Sequence, residues 1–277
     1  MNLYISCDME GTAAVCAWAQ VDPANTTEYP YYRRLMSREV RAAIDGAREA
    51  GAKDVLVNDS HWTMRNVLWD ELPADVRMIY GSRKPFSMGQ GASSNFKAAF
   101  FTGYHAPVGT RDGVLDHTYT SETLHAVRVN GIDCSEALLN AAYLGLHGVP
   151  VTLITGDRAT VEHVKGHLPW VTGVVVKDGI GRYATNSLSP EAARERIRAG
   201  ARTAIESVAE AKPFVFAPPI VLELDFVYTH NADFVELIPG FERTGGRSVR
   251  FVHDDYATIF KAYHAAFRLG AAANLAP

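Results

Sequence analysis

Residues 3–11, Leu3-Tyr4-Ile5-Ser6-Cys7-Asp8-Met9-Glu10-Gly11, pass from an apolar run into two carboxylates and a glycine. Such a run, bounded by a polar break, reads as a short buried strand that opens into a loop at its carboxyl end. From about Tyr31 to Ala50, Met36, Val40, Ile44 and Ala47 fall on one helical stripe, with Arg34, Arg38, Glu39 and Arg41 opposite, and Gly51 ends the helix. Asp54 to His61 is again an apolar strand with a polar tip, Asn58-Asp59-Ser60-His61. Residues 2–61 therefore make a β-α-β unit with parallel strands, and both polar tips share one sheet edge. Ala98 to His105 repeats the shape a third time, ending on Gly103-Tyr104-His105.

Beyond this point the pattern predicts an exposed strand at Leu124 to Asn130 with a turn at Asn130-Gly131. A helix is expected over Ser135 to His147, with Leu138, Leu139, Ala142, Tyr143 and Leu146 facing a core. Strands are expected at Val151 to Thr155, Val171 to Lys177 and Val221 to Val227. A long helix starts at Ser189-Pro190, where Ser caps and Pro suits the first turn, and Lys212-Pro213 closes it. A last helix covers Tyr256 to Leu269, and the Ala-rich C-terminus continues it as a frayed end. The fold class is α/β, a mainly parallel sheet flanked by helices. Residues 1–277 form a single unit, and the proline-rich stretch 213–219 is the candidate boundary of a second, smaller α/β lobe.

The composition narrows the function. With 27 basic against 31 acidic residues the net charge is −4, and no dense Lys/Arg run interleaved with aromatics occurs, which excludes a nucleic-acid surface. Cys7, Cys16 and Cys134 are widely spaced and contain no CxxC, so neither a disulfide framework nor a thiolate zinc site is expected, and a reducing cytoplasm fits. No signal segment and no apolar stretch of about 18 residues is present, so neither export nor membrane insertion is expected.

Asp8 and Glu10 sit at i and i+2 at the carboxyl end of the first strand, where open α/β sheets place their ligand sites. Side by side they repel, so a cation must join them or one must hold a proton. His61 and His105 arrive from neighbouring strand tips. Glu136 opens the helix that follows Ser135 and shares a stripe with Leu139, Asn140 and Tyr143, which turns it toward the packed side, where an unpaired carboxylate is costly. Oxygen and imidazole donors suit zinc, with manganese or cobalt as weaker competitors. Five donors exceed the four of a structural zinc site and suit two ions about 3.5 Å apart that share a carboxylate and a water. Pairs of this kind hydrolyse amide and phosphate bonds.

The blocks Ser6-Cys7-Asp8-Met9-Glu10-Gly11, Asn58-Asp59-Ser60-His61, Lys84-Pro85-Phe86-Ser87-Met88, Gly103-Tyr104-His105, and Glu136 with Asn140 and Tyr143 resemble, in order and spacing, the zinc-dependent D-aminopeptidases of the peptidase M55 family. The resemblance covers most of the chain and is strongest up to about residue 157. It implies two zinc ions per chain, with Asp8 bridging both, Glu10 and His61 completing one, and His105 and Glu136 completing the other. It also implies a catalytic role for His117, removal of N-terminal D-residues such as D-Ala from short peptides, and a homodecamer whose active sites face an inner channel. His117 would stabilise the oxyanion or hand a proton to the leaving amine.

Each residue alone has a simpler reading: a turn carboxylate for Asp8 or Glu10, a turn histidine for His61 or His105, a helix-dipole acid for Glu136. Their convergence argues otherwise. The remaining histidines, 125, 147, 163, 167, 230, 253 and 264, follow no ligand spacing and are expected at the surface or at caps. Gly89-Gln90-Gly91 lacks the Lys-Ser/Thr of a phosphate loop. Two rival functions are a cytoplasmic peptide-binding protein without catalysis and a dinuclear metal phosphoesterase.

Overall fold

In the computed structural model, which describes residues 1–274, the first half of the chain runs β1 (Leu3–Cys7), α1 (Trp18–Val21), α2 (Tyr29–Glu49), β2 (Val55–Asp59), β3 (Arg77–Ile79) and β4 (Ala98–Tyr104). It continues through β5 (Leu124–Val129), β6 (Ile132–Asp133), α3 (Glu136–Gly145), β7 (Val151–Asp157), α4 (Arg158–His167), β8 (Thr172–Gly181) and β9 (Ala184–Ser187). The remainder is α5 (Pro190–Glu206), β10 (Ile220–Phe226), α6 (Thr229–Val235), β11 (Phe241–Arg243), β12 (Ser248–His253) and α7 (Tyr256–Ala272).

The expected α/β architecture is present. Seven strands lie in the order β3-β2-β1-β4-β7-β8-β9, all parallel except β9, which turns back on β8. Because β1 is buried on both faces, every residue of it is apolar or internally bonded, as parallel central strands require. A second sheet, β11-β12-β10-β5-β6, is antiparallel, and its strand β10 buries Ile220, Leu222, Leu224 and Phe226 while the alternate residues stay partly open. β5 and β6 precede the 213–219 stretch and β10–β12 follow it.

Two apolar clusters hold the layers. On one face of the first sheet, Leu3, Ile5, Val57 and Phe100 pack with Val40 and Ile44 of α2 and Ile197 of α5. On the other, Tyr4, Phe101 and Ile154 join Leu138 of α3, Leu222 and Leu224 of β10, and Phe260 of α7 in one core. Helix α3 lies inside this second cluster, and all its residues are buried.

Four expectations need correction. Leu124, Ala126, Val127 and Val129 of β5 are buried and only His125 is exposed, because the strand lies inside its sheet between β10 and β6 and Leu124, Val127 and Val129 pack into the core with α3 and α7. Glu39 turns inward from its supposed solvent stripe and accepts the Ala13 N–H at 2.9 Å, and its burial pushes the carboxyl up to about 7. Leu146, expected in the core, is half-exposed beyond the last turn of α3. α5 stops at Glu206, and a short 3-10 turn at Val208–Glu210 precedes Lys212. The last helix runs on to Ala272, and the Ala-rich end past 274 lies outside the described residues.

The register decides where the polar tips go. Cys7 is level with Asp59 on one side and Thr102 on the other, so Asp8, His61 and His105 leave the sheet side by side. Two glycines allow the exits to touch backbone to backbone. Gly11 donates its N–H to the Gly103 carbonyl at 2.8 Å, and a Cβ on Gly11 would stand 1.9 Å from the Tyr104 carbonyl oxygen. Gly103 adopts φ +68°, and a Cβ there would come within 2.3 Å of the Asp8 carbonyl oxygen. Among the described residues no helix is long and apolar enough to cross a membrane.

Candidate metal centre

Asp8 is the first residue past β1, and its Oδ1 accepts the N–H of Met9 at 2.9 Å. The loop that carries Glu10 is fixed by Lys177 of β8, whose Nζ donates to the carbonyls of Glu10, Thr12 and Val15 at 2.5, 2.9 and 2.8 Å. His61 is held by the carbonyl of Val21 at the end of α1, which accepts from Nε2 at 2.8 Å. That leaves Nδ1 facing Asp8 Oδ1 at 3.2 Å and Glu10 Oε2 at 3.0 Å.

His105 is oriented in the opposite sense. Its Nδ1 meets the Ala106 carbonyl at 3.0 Å, and its Nε2 faces Asp8 Oδ2 at 3.5 Å and Glu136 Oε1 at 3.2 Å. Glu136 follows the N-cap Ser135 of α3, and its Oε1 accepts the Tyr119 N–H at 2.6 Å. His117 meets the Leu115 carbonyl with Nδ1 at 2.8 Å and turns Nε2 to within 3.7 Å of Glu136 Oε1. Its ring stacks on that of His105, with centroids 3.9 Å apart and planes 12° apart. In all three histidines a backbone carbonyl takes one ring nitrogen, so the other is free to present a lone pair to the centre, the usual support for a metal-binding imidazole.

All six side chains are buried. Burial and the neighbouring charge of Glu10 push the Asp8 carboxyl up to about 8. Burial opposes the charge on Glu10, yet His61 holds it well below the usual range. Burial likewise opposes the charge on His105, but the Glu136 and Asp8 carboxylates raise it to about 10. His117 is lowered by burial and then by the charge on His105. Asp8 Oδ2, Glu10 Oε2 and His105 Nε2 have no hydrogen-bond partner. Three carboxylates and unpartnered nitrogen and oxygen donors buried together are poorly satisfied by one another and well satisfied by divalent cations.

The donor atoms form two overlapping triads, Asp8 with Glu10 and His105, and His105 with His117 and Glu136, each with all its atoms within 4.8 Å of one another. His61 lies outside both triads but touches the first through Asp8 and Glu10. The donor set therefore fits zinc. Asp8, Glu10, His61, His105 and Glu136, expected at one place from strand tips and a helix start, stand together in the structure, and His117 stands with them.

The centre forms one wall of a cavity of about 550 Å³, within the range of small-ligand sites. Trp18, Trp62, Tyr119 and Phe267, also on its walls, were not legible in the sequence: they lie in loops, a four-residue helix and the last helix, with no periodicity to mark them. Lys177 carried only the signal of a charge at the end of an apolar strand. His264, expected at the surface, is buried among the rings of Tyr119, Phe260, Tyr263 and Phe267.

Lys177→Met would leave three buried carbonyls without their donor. An unmet buried polar group costs about 1–3 kcal/mol, so the loss in urea unfolding is expected at about 3 kcal/mol. Zinc affinity, titrated against a competing chelator, is expected to fall about 10- to 100-fold because the Glu10 loop is released.

The model of the Peptidase_M55 family, described as D-aminopeptidase, matches residues 1–265. A D-aminopeptidase of Bacillus subtilis (strain 168) is 33% identical over 263 residues, 95% of each chain. The solved structure of the zinc-dependent D-aminopeptidase DppA from Bacillus subtilis, described as a self-compartmentalizing protease, shares 31% identity with this chain and covers 100% of both, with a TM-score of 0.95.

Proposed function

The chain is a hydrolase of the peptidase M55 family, the D-aminopeptidases, and from that premise we propose that it removes the N-terminal D-residue, such as D-Ala, from short peptides with the help of two zinc ions. The observation that carries this reading is the pair of donor triads meeting at His105, with three unpartnered donor atoms on a cavity wall. Asp8 presents one oxygen to each side: Oδ1 toward His61 and Oδ2 toward His105. Glu10 and His61 would hold one ion with it, and His105 and Glu136 the other.

Zinc bound there supplies Lewis acidity for the scissile carbonyl and a water acidic enough to attack near neutral pH. The protein's own part is orientation and proton traffic. The Val21, Ala106 and Leu115 carbonyls fix the three rings. His117 Nε2, beside Glu136 and with its lone pair free, would take a proton from the attacking water and hand it on to the departing amine. The substrate's free amine would bind either an open position on an ion or a carboxylate beside it, which accounts for attack from the amino end.

The relative described as self-compartmentalizing supports a homo-oligomer here, with ten subunits as the family resemblance implies and active sites turned to a shared interior. Three free cysteines support residence in a reducing cytoplasm. The test is metal analysis of the purified chain together with D- and L-aminoacyl amides, D-Ala-D-Ala and a chromogenic phosphate ester. Two zinc ions per chain, release of D-Ala and complete loss of activity on chelation are expected. D-Ala-D-Ala returned intact would make the protein a binder, and cleavage of the phosphate ester alone would make it a phosphoesterase.

A further inference from the structure

The charges on the cavity walls are arranged by sign. The metal-binding wall is acidic, whereas the two arginines that line the cavity, Arg83 and Arg268, belong to other elements: the loop before Pro85 and the last helix, α7. Among the described residues neither has a carboxylate within ion-pair distance or a side-chain hydrogen bond, unlike Arg128, paired with Asp225, and Arg243, paired with Asp233; Arg65, Arg77, Arg194 and Arg196 are unpaired too, but only Arg83 and Arg268 line the cavity. Glu122 lines the same cavity and pairs with neither.

The Arg268 guanidinium has a ring beneath it, and Arg83 has an unusual backbone. Arg268 lies over the ring of Phe267, its carbon 5.2 Å from the centroid, on a residue that also lines the cavity. Arg83 holds a left-handed backbone, φ +66°, which L-residues rarely adopt. It is not alone in this. Trp62, Met64, Ser87 and Tyr119 also have positive φ and also line the cavity, so five of the nine non-glycine residues in that conformation stand on its walls. Backbone strain of this kind clusters at ligand sites.

We propose that Arg83 and Arg268 take the free α-carboxylate of the substrate, so that the site is built for very short peptides, dipeptides above all, rather than for the amino ends of long or C-terminally blocked chains. The inference rests on the D-aminopeptidase reading. A dipeptide is a zwitterion whose ends lie about 7 Å apart when extended. Its amine suits an open position on an ion or a carboxylate beside the metal centre, and its carboxylate the two planar, unpaired forks, which bind carboxylates bidentately. A longer peptide would have to leave the cavity past these groups with its carboxylate elsewhere.

The experiment compares D-Ala-D-Ala with D-Ala-D-Ala amide on the zinc-loaded enzyme. In parallel, calorimetry measures binding of the reduced-bond analogue of D-Ala-D-Ala, which cannot be hydrolysed, and of its amide. A charge-assisted pair is worth enough for the free acid to be preferred about 10- to 100-fold in both arms. Arg268→Gln and Arg83→Gln are each expected to lower that preference about tenfold, through KM and Kd rather than kcat, and Arg268→Lys to keep part of it. A preference near one in the wild type, or one that both Gln variants leave intact, overturns the proposal. If neither dipeptide is cleaved while the analogue still binds with an arginine-dependent preference, the peptidase reading falls and the carboxylate site stands.

Discussion

Asp8→Asn lowers kcat/KM on D-Ala-D-Ala by on the order of 10³-fold and leaves less than one zinc ion per chain. Asp8 is the one carboxylate that faces both halves of the centre, at 3.2 Å from His61 Nδ1 and 3.5 Å from His105 Nε2 through different oxygens. An amide keeps the shape and still accepts from Met9, but it cannot bring a negative charge to either cation. Metal ions stabilise the transition-state charge by several kcal/mol, and losing about 4 kcal/mol corresponds to about 10³ in rate. A second reading of the same variant is thermal. In the wild type, zinc at 1,000 times its dissociation constant adds about 4 kcal/mol of stability. In the variant most of that gain is absent, while unfolding in chelator is little worsened, because metal-free Asp8, pushed up to about 8, already holds a proton near neutral pH and the amide replaces a neutral group. Two tightly held zinc ions in Asp8→Asn would remove Asp8 from the centre of the proposal.

His117→Ala separates proton transfer from metal binding. General acid–base catalysis contributes about 10²- to 10⁴-fold, so kcat should fall within that range with KM nearly unchanged and zinc still at two per chain. The ring has the geometry for the role: Nδ1 is tied to the Leu115 carbonyl, Nε2 points toward Glu136, and Trp18 packs edge-on against it, with centroids 5.4 Å apart. It also belongs to a donor triad with His105 and Glu136. Loss of one zinc ion from His117→Ala would therefore make it a ligand and move the proton step to another group. Metal content measured on the same sample as the kinetics decides between these outcomes.

The acidic and imidazole wall was legible because its logic is local and topological. Three apolar runs each ending in a polar tip can be placed at one sheet edge without coordinates, and a helix that begins on a glutamate after a serine announces its own N-terminus. His117 was different: it lies in a loop, and only the family resemblance singled it out. The opposite walls were not legible at all, since Trp18 and Arg268 meet at one cavity through packing between layers that no spacing records. The errors share that cause. β5 reads as an exposed strand, but Leu124, Val127 and Val129 enter the core that Leu138 of α3 and Phe260 of α7 share, and no spacing within the strand records that. Glu39 looks like a solvent charge on a helical wheel, yet the loop at Ala13 folds back over it and offers a backbone N–H.

Asp8, Glu10, His61 and His105 hang from the edge of one sheet, whereas Glu136 rides on α3, which is buried in the core shared with the other sheet. An ion gripped from both sides would act as a rivet through the two layers. Metal supply would then govern not only turnover but how firmly the halves of the molecule stay clamped, so that a starved cell would hold an enzyme both idle and easier to pry apart.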